Sequence, residues 1–302
     1  MPQTTKKDFL AWSALVPRSG ILRQMAYPYL SDVFRDAFGV NLPLPVPTFG
    51  LTVAIAFLFS LWVANREVKR LIPDTPPRFM DNVGFISFLA GLVGARIFHL
   101  LEHAHEFLEH PLEMTFSRGG FTMFGGLIAG TLAGLFYARA KRVPIATLLD
   151  AVAPAVMLGY GLGRIGCQIS GDGDWGIAAN MAAKPDWLPT WVWAQTYDGN
   201  ILGTVVPPPG VYPTPLYEVV MGLAAFALLW KLRKHRHRAG WLFSVYLVLS
   251  GVERLLIEGI RVNTTFDLFG VAVTQAQLIA VGCVVAGCVG MWWLARVRTA
   301  PA

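Results

Sequence analysis

Apolar residues in this chain come in long blocks, and the polar residues between them in short, crowded ones. Seven blocks stand out, at about 47–64, 82–102, 120–138, 147–166, 217–231, 241–258 and 272–295. Most approach the roughly 20 residues that a helix needs to cross a hydrocarbon core. Backbone amides find no water inside a bilayer, so each block predicts a helix, whose hydrogen bonds are internal. The alternating pattern of a membrane barrel is not seen. The pattern predicts an all-α, polytopic membrane protein. A seven-transmembrane-helix bundle over 47–298 follows a segment over 1–46, and a long connection over about 167–216 interrupts it.

The first 46 residues carry a different pattern. Leu30, Val33, Phe34 and Phe38 recur at helical spacing and form one apolar stripe, as in a helix lying in the membrane interface. The start, MPQTTKKDFLAWSALVPRSG, has a basic end and a short apolar run, but Pro17 breaks the run and no clear small-x-small cleavage site is present. An interfacial segment is therefore expected rather than a cleaved leader. Within the third block Gly126, Gly130 and Gly134 repeat at spacing four, which lets a neighbouring helix approach closely.

Composition agrees with this reading. Of the 302 residues 54% are hydrophobic and 15% charged, against about a quarter charged in soluble domains. The net charge of +6 would raise nucleic acid as a partner of a soluble protein. Here its placement points elsewhere. Arg66, Lys69, Arg70, Arg78, Arg139, Lys141, Arg142, Lys231, Arg233, Lys234, Arg236, Arg238, Arg296 and Arg298 all fall on one side of the predicted bundle. Only Arg118, Arg261 and Lys184 fall in the opposite connections. Cytoplasmic loops collect Lys and Arg, so the C-terminus is expected inside and the N-terminal segment outside, with no nucleic-acid partner. The long connection is then external, and its Trp175, Trp187, Trp191 and Trp193 suit a membrane interface. Cys167, Cys283 and Cys288 form no disulfide framework or metal motif.

Ionisable residues inside spans are costly and mark candidate sites. Arg96 lies in the second block and needs a partner; His99 and His103 share its face among Glu102, His105, Glu106, Glu109 and His110. That cluster is read as a solvated helix end rather than a metal site. Arg254, Glu258 and Arg261 recur at spacings of four and seven, on one predicted face. Glu258 can neutralise one arginine and leave the other for an anion; the alternative is an ion-pair network that only fixes helix packing. Arg164, in GRIGCQISGDGDWG, falls at the same predicted depth and side. Planar guanidinium groups suit a phosphate, and nearby glycines allow close backbone approach. Together these residues point to a phospholipid headgroup held at the membrane edge.

Several segments in order carry a resemblance: GAR at 94–96, GGFTMFGGLIAG at 119–130, GRIG at 163–166, GDWG at 173–176, YPTPLYE at 212–218 and ERLLIEGIR at 253–261. The chain resembles the prolipoprotein diacylglyceryl transferase family. The resemblance implies a seven-span bundle that moves diacylglyceryl from phosphatidylglycerol to the lipobox cysteine of a prolipoprotein signal peptide. It implies chemistry near the outer face of a bacterial inner membrane among membrane lipids, with no metal or cofactor. Arg164 and Arg254 match the family's essential arginines, and Glu258 the acid paired with the second. Asp172 and Asp174 occupy the acidic part of that motif, so the catalytic set expected is Arg164, Arg254, Glu258, Asp172 and Asp174. Substrate binding is expected from Arg96, Arg164, Gly166, Gly176, Tyr217, Glu218 and Arg261.

The chain also departs from the family pattern. Phe124 stands where a histidine precedes GGLIxG, Phe49 where a tyrosine is expected, and Cys167 and Ser170 at two asparagine positions. Two outcomes remain open: Asp172, Asp174 or a nearby histidine acts as the base, or the chain is a lipid-binding relative with lost or changed chemistry. A transporter is disfavoured, since no internal repeat or paired broken helices are visible.

Overall fold

A computed structural model describes residues 26–41, 43, 45–116, 120, 122–263, 265–268 and 271–296. The basic start of the chain, Arg118 and Arg298 lie outside the described residues. A short helix, α1 (Leu30–Phe38), precedes seven long ones: α2 (Thr48–Leu71), α3 (Phe79–Glu102), α4 (Met123–Ala140), α5 (Ile145–Ser170), α6 (Thr214–Leu232), α7 (Trp241–Glu258) and α8 (Gln275–Ala295). Six are long and apolar enough to cross a membrane. The seventh, α7, carries Glu253, Arg254 and Glu258 in its last two turns.

The helices overrun the apolar blocks at informative places. α2 continues to Leu71 because Arg66, Lys69 and Arg70 are good helix formers that extend it as polar turns. α5 continues to Ser170 and stops where Gly171 adopts a left-handed φ of 62°. The last block is not helical at its start. Val271–Thr274 forms a strand, β2, paired antiparallel with β1 (Thr265–Leu268). The β-branched Val271, Val273 and Thr274 favour that conformation. α8 then begins at a capping box, with Thr274 accepting from the Gln277 amide and Gln277 from the Thr274 amide.

α1 fully buries none of its residues: along its apolar stripe Leu30, Val33 and Phe34 are half-buried and Phe38 is exposed. It is tied to the bundle at its start, where Leu30 N donates to Val46 O at 2.9 Å and Thr48 Oγ1 to Pro28 O at 3.0 Å. Among the long helices α5 is central, packing on α2 and α6 and touching α7, while α3 pairs with α4 and α7 with α8. The glycine repeat of α4 faces α3 as expected: a Cβ on Gly130 would sit 2.8 Å from Ser87 O. Gly222 of α6 crosses α5 so closely that a Cβ there would lie 3.0 Å from the Gly161 Cα. Large apolar side chains such as Leu58, Phe59, Phe85, Phe136 and Trp293 remain exposed around the bundle, as a lipid-facing belt requires.

Buried polar groups fix the ends. At the start of α7, buried Asp150 of α5 accepts from Gly240 N and Phe243 N, both at 2.8 Å, satisfying orphan donors of that helix. At its far end the segment after α5 is stitched to both neighbouring helices. Gly176 N donates to Tyr212 O at 2.9 Å, just before α6, and Ile177 N to Ile260 O at 2.8 Å, just after α7. These bonds bring three chain segments to one place.

Candidate active site

That place is the arginine-rich end of the bundle. α5 supplies Tyr160 and Arg164 one turn apart, and the guanidinium lies over the Tyr160 ring at 5.2 Å. α6 supplies Glu218, which is fully buried. The entry to α6 also fixes the loop, because Thr214 Oγ1 donates to Asp174 O at 2.6 Å. Arg261 arrives from beyond α7, where an isolated bridge pairs it with Gly176. A side chain on Gly176 would collide with Ile260 O, so glycine is required for that approach.

The charges interlock. Asp174 bridges two guanidinium groups, those of Arg164 and Arg261. Glu218 Oε1 lies 3.2 Å from Arg164 and 3.5 Å from Arg261. Glu218 Oε2, though buried, has no hydrogen-bond partner among the described residues. Two cations and two anions thus compensate one another, which buried charges need. Beside them Arg254 pairs with Glu258 at 2.8 Å, and Glu258 Oε1 accepts from Asn263 Nδ2 at 2.7 Å. Glu258 therefore takes Arg254, as the spacing allowed. Arg261 is not left free on the same helix face: α7 ends at Glu258, and the chain beyond turns Arg261 toward Asp174 and Glu218.

Asp172 contacts neither arginine. Its carboxylate accepts from Asp174 N at 3.2 Å and lies beside Cys167. Gly166 lets α5 lie on α2: a Cβ there would sit 3.3 Å from Phe49 and Thr52. Tyr217 does not join the charge network; its hydroxyl donates to Val192 O at 2.7 Å and braces the connection. Arg96 is drawn elsewhere. It donates to Gly120 O at 2.9 Å and Thr115 O at 3.2 Å, and also to Met114 O, clamping the segment between α3 and α4. Phe124, in the first turn of α4, is partly exposed. In the connection, buried Tyr197 stacks on Trp175 at 5.0 Å and donates to Gln168 Oε1 at 2.9 Å. Burial pushes its phenol above the usual tyrosine range.

Two members of the site were not singled out from sequence. Glu253 is buried, and its Oε1 lies 2.8 Å from the Tyr160 hydroxyl. Tyr160 reaches Glu218 as well, at 3.0 Å. The available signals were a carboxylate immediately before Arg254 and a tyrosine exactly one helical turn before Arg164. Two groups also have donor atoms within 4.8 Å of one another, as a metal would need: His99, Glu102 and His103, and Cys167, Asp172 and Asp174. In the first, Glu102 already accepts from Thr122 Oγ1 at 2.9 Å. In the second, Asp174 is claimed by two guanidinium groups, which a metal would have to displace.

The family model described as prolipoprotein diacylglyceryl transferase matches residues 36–293. A phosphatidylglycerol–prolipoprotein diacylglyceryl transferase of Bacillus cytotoxicus is 31% identical over 254 residues, covering 83% of this chain and 88% of that one. A protein of the same name from Symbiobacterium thermophilum is 30% identical over 271 residues, covering 87% and 94%. One from Geobacillus kaustophilus is 30% identical over 259 residues, covering 85% and 90%. With its helical membrane bundle and its motifs in order, the chain belongs to the prolipoprotein diacylglyceryl transferase family.

Proposed function

We propose that this protein transfers the diacylglyceryl group of phosphatidylglycerol to the cysteine thiol of a prolipoprotein lipobox, at the outer face of a bacterial inner membrane. Family membership supports the reaction, and one observation supports the site. Arg254 is the arginine with donors to spare: among the described residues its one charged partner is Glu258, and its side chain is partly exposed. Arg164 and Arg261 are each held by two carboxylates.

In this reading Arg254 receives the lipid phosphate while Arg164 and Arg261 supply the positive background. The thiol sulfur bonds to the glyceryl carbon, the carbon–oxygen bond breaks, and its electrons stay on the phosphate oxygen. Glycerol phosphate leaves with one more negative charge than the diester carried. Preorganised guanidinium groups stabilise that charge as it develops. The thiol must lose its proton to become the reactive thiolate. Asp172 suits this step better than Asp174, since Asp174 is spent on two arginines and Asp172 on none. Glu258 orients Arg254. Gly176 holds Asp174 and Arg261 in register, Gly166 seats α5, and Tyr217 braces the loop, while Arg96 clamps the segment between α3 and α4. The excess of basic residues on one side supports a cytoplasmic C-terminus and an external α1.

The test uses purified protein, labelled phosphatidylglycerol and a lipobox peptide. Release of glycerol phosphate that depends on Arg254 and falls in Asp172→Asn is expected. Lipid binding without release would favour the reading of a non-catalytic relative, consistent with Phe124 at the position of the family histidine.

A further inference from the structure

Glu253 poses a problem of charge that the proposed reaction does not use. It sits inside the bundle, 7% exposed, and no guanidinium or ammonium group among the described residues lies within ion-pair distance of it. Its neighbours are already balanced: Arg164 and Arg261 against Asp174 and Glu218, and Arg254 against Glu258. An ionised Glu253 would be the one uncompensated charge in a buried cluster, which is costly.

Hydrogen counting leads to the same place. The Tyr160 oxygen lies 2.8 Å from Glu253 Oε1 and 3.0 Å from Glu218 Oε1. A hydroxyl has one proton to donate, and an ionised carboxylate has none. Two such contacts need two protons. Glu218 faces two arginines and is the natural acceptor, so the second proton belongs on Glu253. The chain then reads Glu253 carboxyl to Tyr160 hydroxyl to Glu218 carboxylate, every contact satisfied and pointing one way.

We propose that Glu253 is a neutral carboxylic acid that, through Tyr160, fixes Glu218 between Arg164 and Arg261, making Glu253 and Tyr160 positioning residues for the arginine site. Neither touches substrate. Their effect is to keep the Tyr160 proton aimed at Glu218, so that Glu218 holds both guanidinium groups in place when an anionic lipid arrives. The activity part of this proposal rests on the transferase reading above; the protonation part does not.

The experiment is infrared difference spectroscopy on the purified full chain, paired with turnover. The wild type should show a carboxylic-acid C=O band that shifts in heavy water and disappears in Glu253→Gln. In Tyr160→Phe the band should move to higher frequency as its hydrogen bond is lost. Glutamine can donate its amide to Tyr160 as the acid does, so Glu253→Gln should release glycerol phosphate within about threefold of wild type. Glu253→Ala and Tyr160→Phe should each lose about tenfold or more. A carboxylic-acid C=O region unchanged by Glu253→Gln shows Glu253 ionised and overturns the proposal. So does full turnover by Glu253→Ala, or a Glu253→Gln protein as impaired as Glu253→Ala. The infrared arm is read whether or not the wild type turns over, so failure of the transferase reading is distinguishable from failure of this one.

Discussion

Arg164 and Arg254 lie at the same end of the bundle, but their surroundings assign them different sensitivities. Arg164 holds Asp174 and the buried Glu218. Removing it leaves part of that negative charge unpaired, at a cost of about 3–5 kcal/mol. Arg164→Ala should therefore lose both activity and thermal stability, read by glycerol phosphate release and by a melting curve. Arg254→Ala should lose about a hundred- to a thousandfold in turnover, the scale for one donor to developing charge. It should also lose stability, because buried Glu258 is left with only its bond from Asn263, but by less than Arg164→Ala, which strips Asp174 and Glu218 at once. Equal destabilisation by the two substitutions would contradict this division. The arginines and Glu258 were legible from sequence because a charge in or beside an apolar run is conspicuous, and Glu218 because it closes the YPTPLYE motif of the resemblance, whereas Glu253 was hidden beside Arg254. Tyr160 was not legible, since a tyrosine in such a run reads as packing. Asp174 is one of three alternatives for the base in the sequence; only folding shows that two guanidinium groups already claim it.

At the scale of elements, the site depends on how closely α5 and α6 cross. Gly161 lies one turn before Arg164, and Gly222 one turn after Glu218, and the two glycines touch. Gly222→Leu would push the helices apart where the obstructing atom is backbone and cannot yield. An overpacked contact of this kind costs about 1–3 kcal/mol. The substitution should lower both the melting temperature and turnover. Gly163 lies in the same helix, but a Cβ there would meet nothing within 4 Å. Gly163→Ala should leave stability unchanged or raise it by up to about 1 kcal/mol, since glycine inside a helix is unfavourable. Matching melts for the two variants would show that the crossing is not set by glycine. The connection over 171–213 adds a pH-dependent element. Tyr197 titrates higher folded than unfolded, so its contribution is full below the ordinary tyrosine value near 10 and fades as pH rises above it. Tyr197→Phe should flatten that alkaline loss of stability in a melt series. Helices were legible because apolar block length determines them. The β1–β2 hairpin was not, since Val271 and Val273 continue an apolar run that only their β-branching distinguishes.

For the whole molecule, fold and charge placement make a claim that neither makes alone. The exposed apolar belt says the bundle is immersed in lipid, but a belt has no direction. Direction comes from the basic residues. Arg66, Lys69, Arg139, Lys141, Arg233 and Lys234 gather where α2, α4 and α6 end, whereas the site lies where α5 and α7 end. Successive helices alternate in direction across a membrane, so these are opposite faces. On that ground we propose that the positive face stays in the cytoplasm and that the arginine site opens outward. That arrangement lets a site built from costly buried arginines meet a lipid headgroup and an emerging thiol on the same side. The native cysteines complicate a labelling test little, since Cys167 is buried and the other two lie within α8. Trp187, which is 81% exposed in the connection, can be replaced as Trp187→Cys, and Lys234, between α6 and α7, as Lys234→Cys. In intact spheroplasts a membrane-impermeant maleimide should label Trp187→Cys, and Lys234→Cys only after permeabilisation. The reverse pattern would place the arginine site in the cytoplasm, where the outward-facing reaction could not occur.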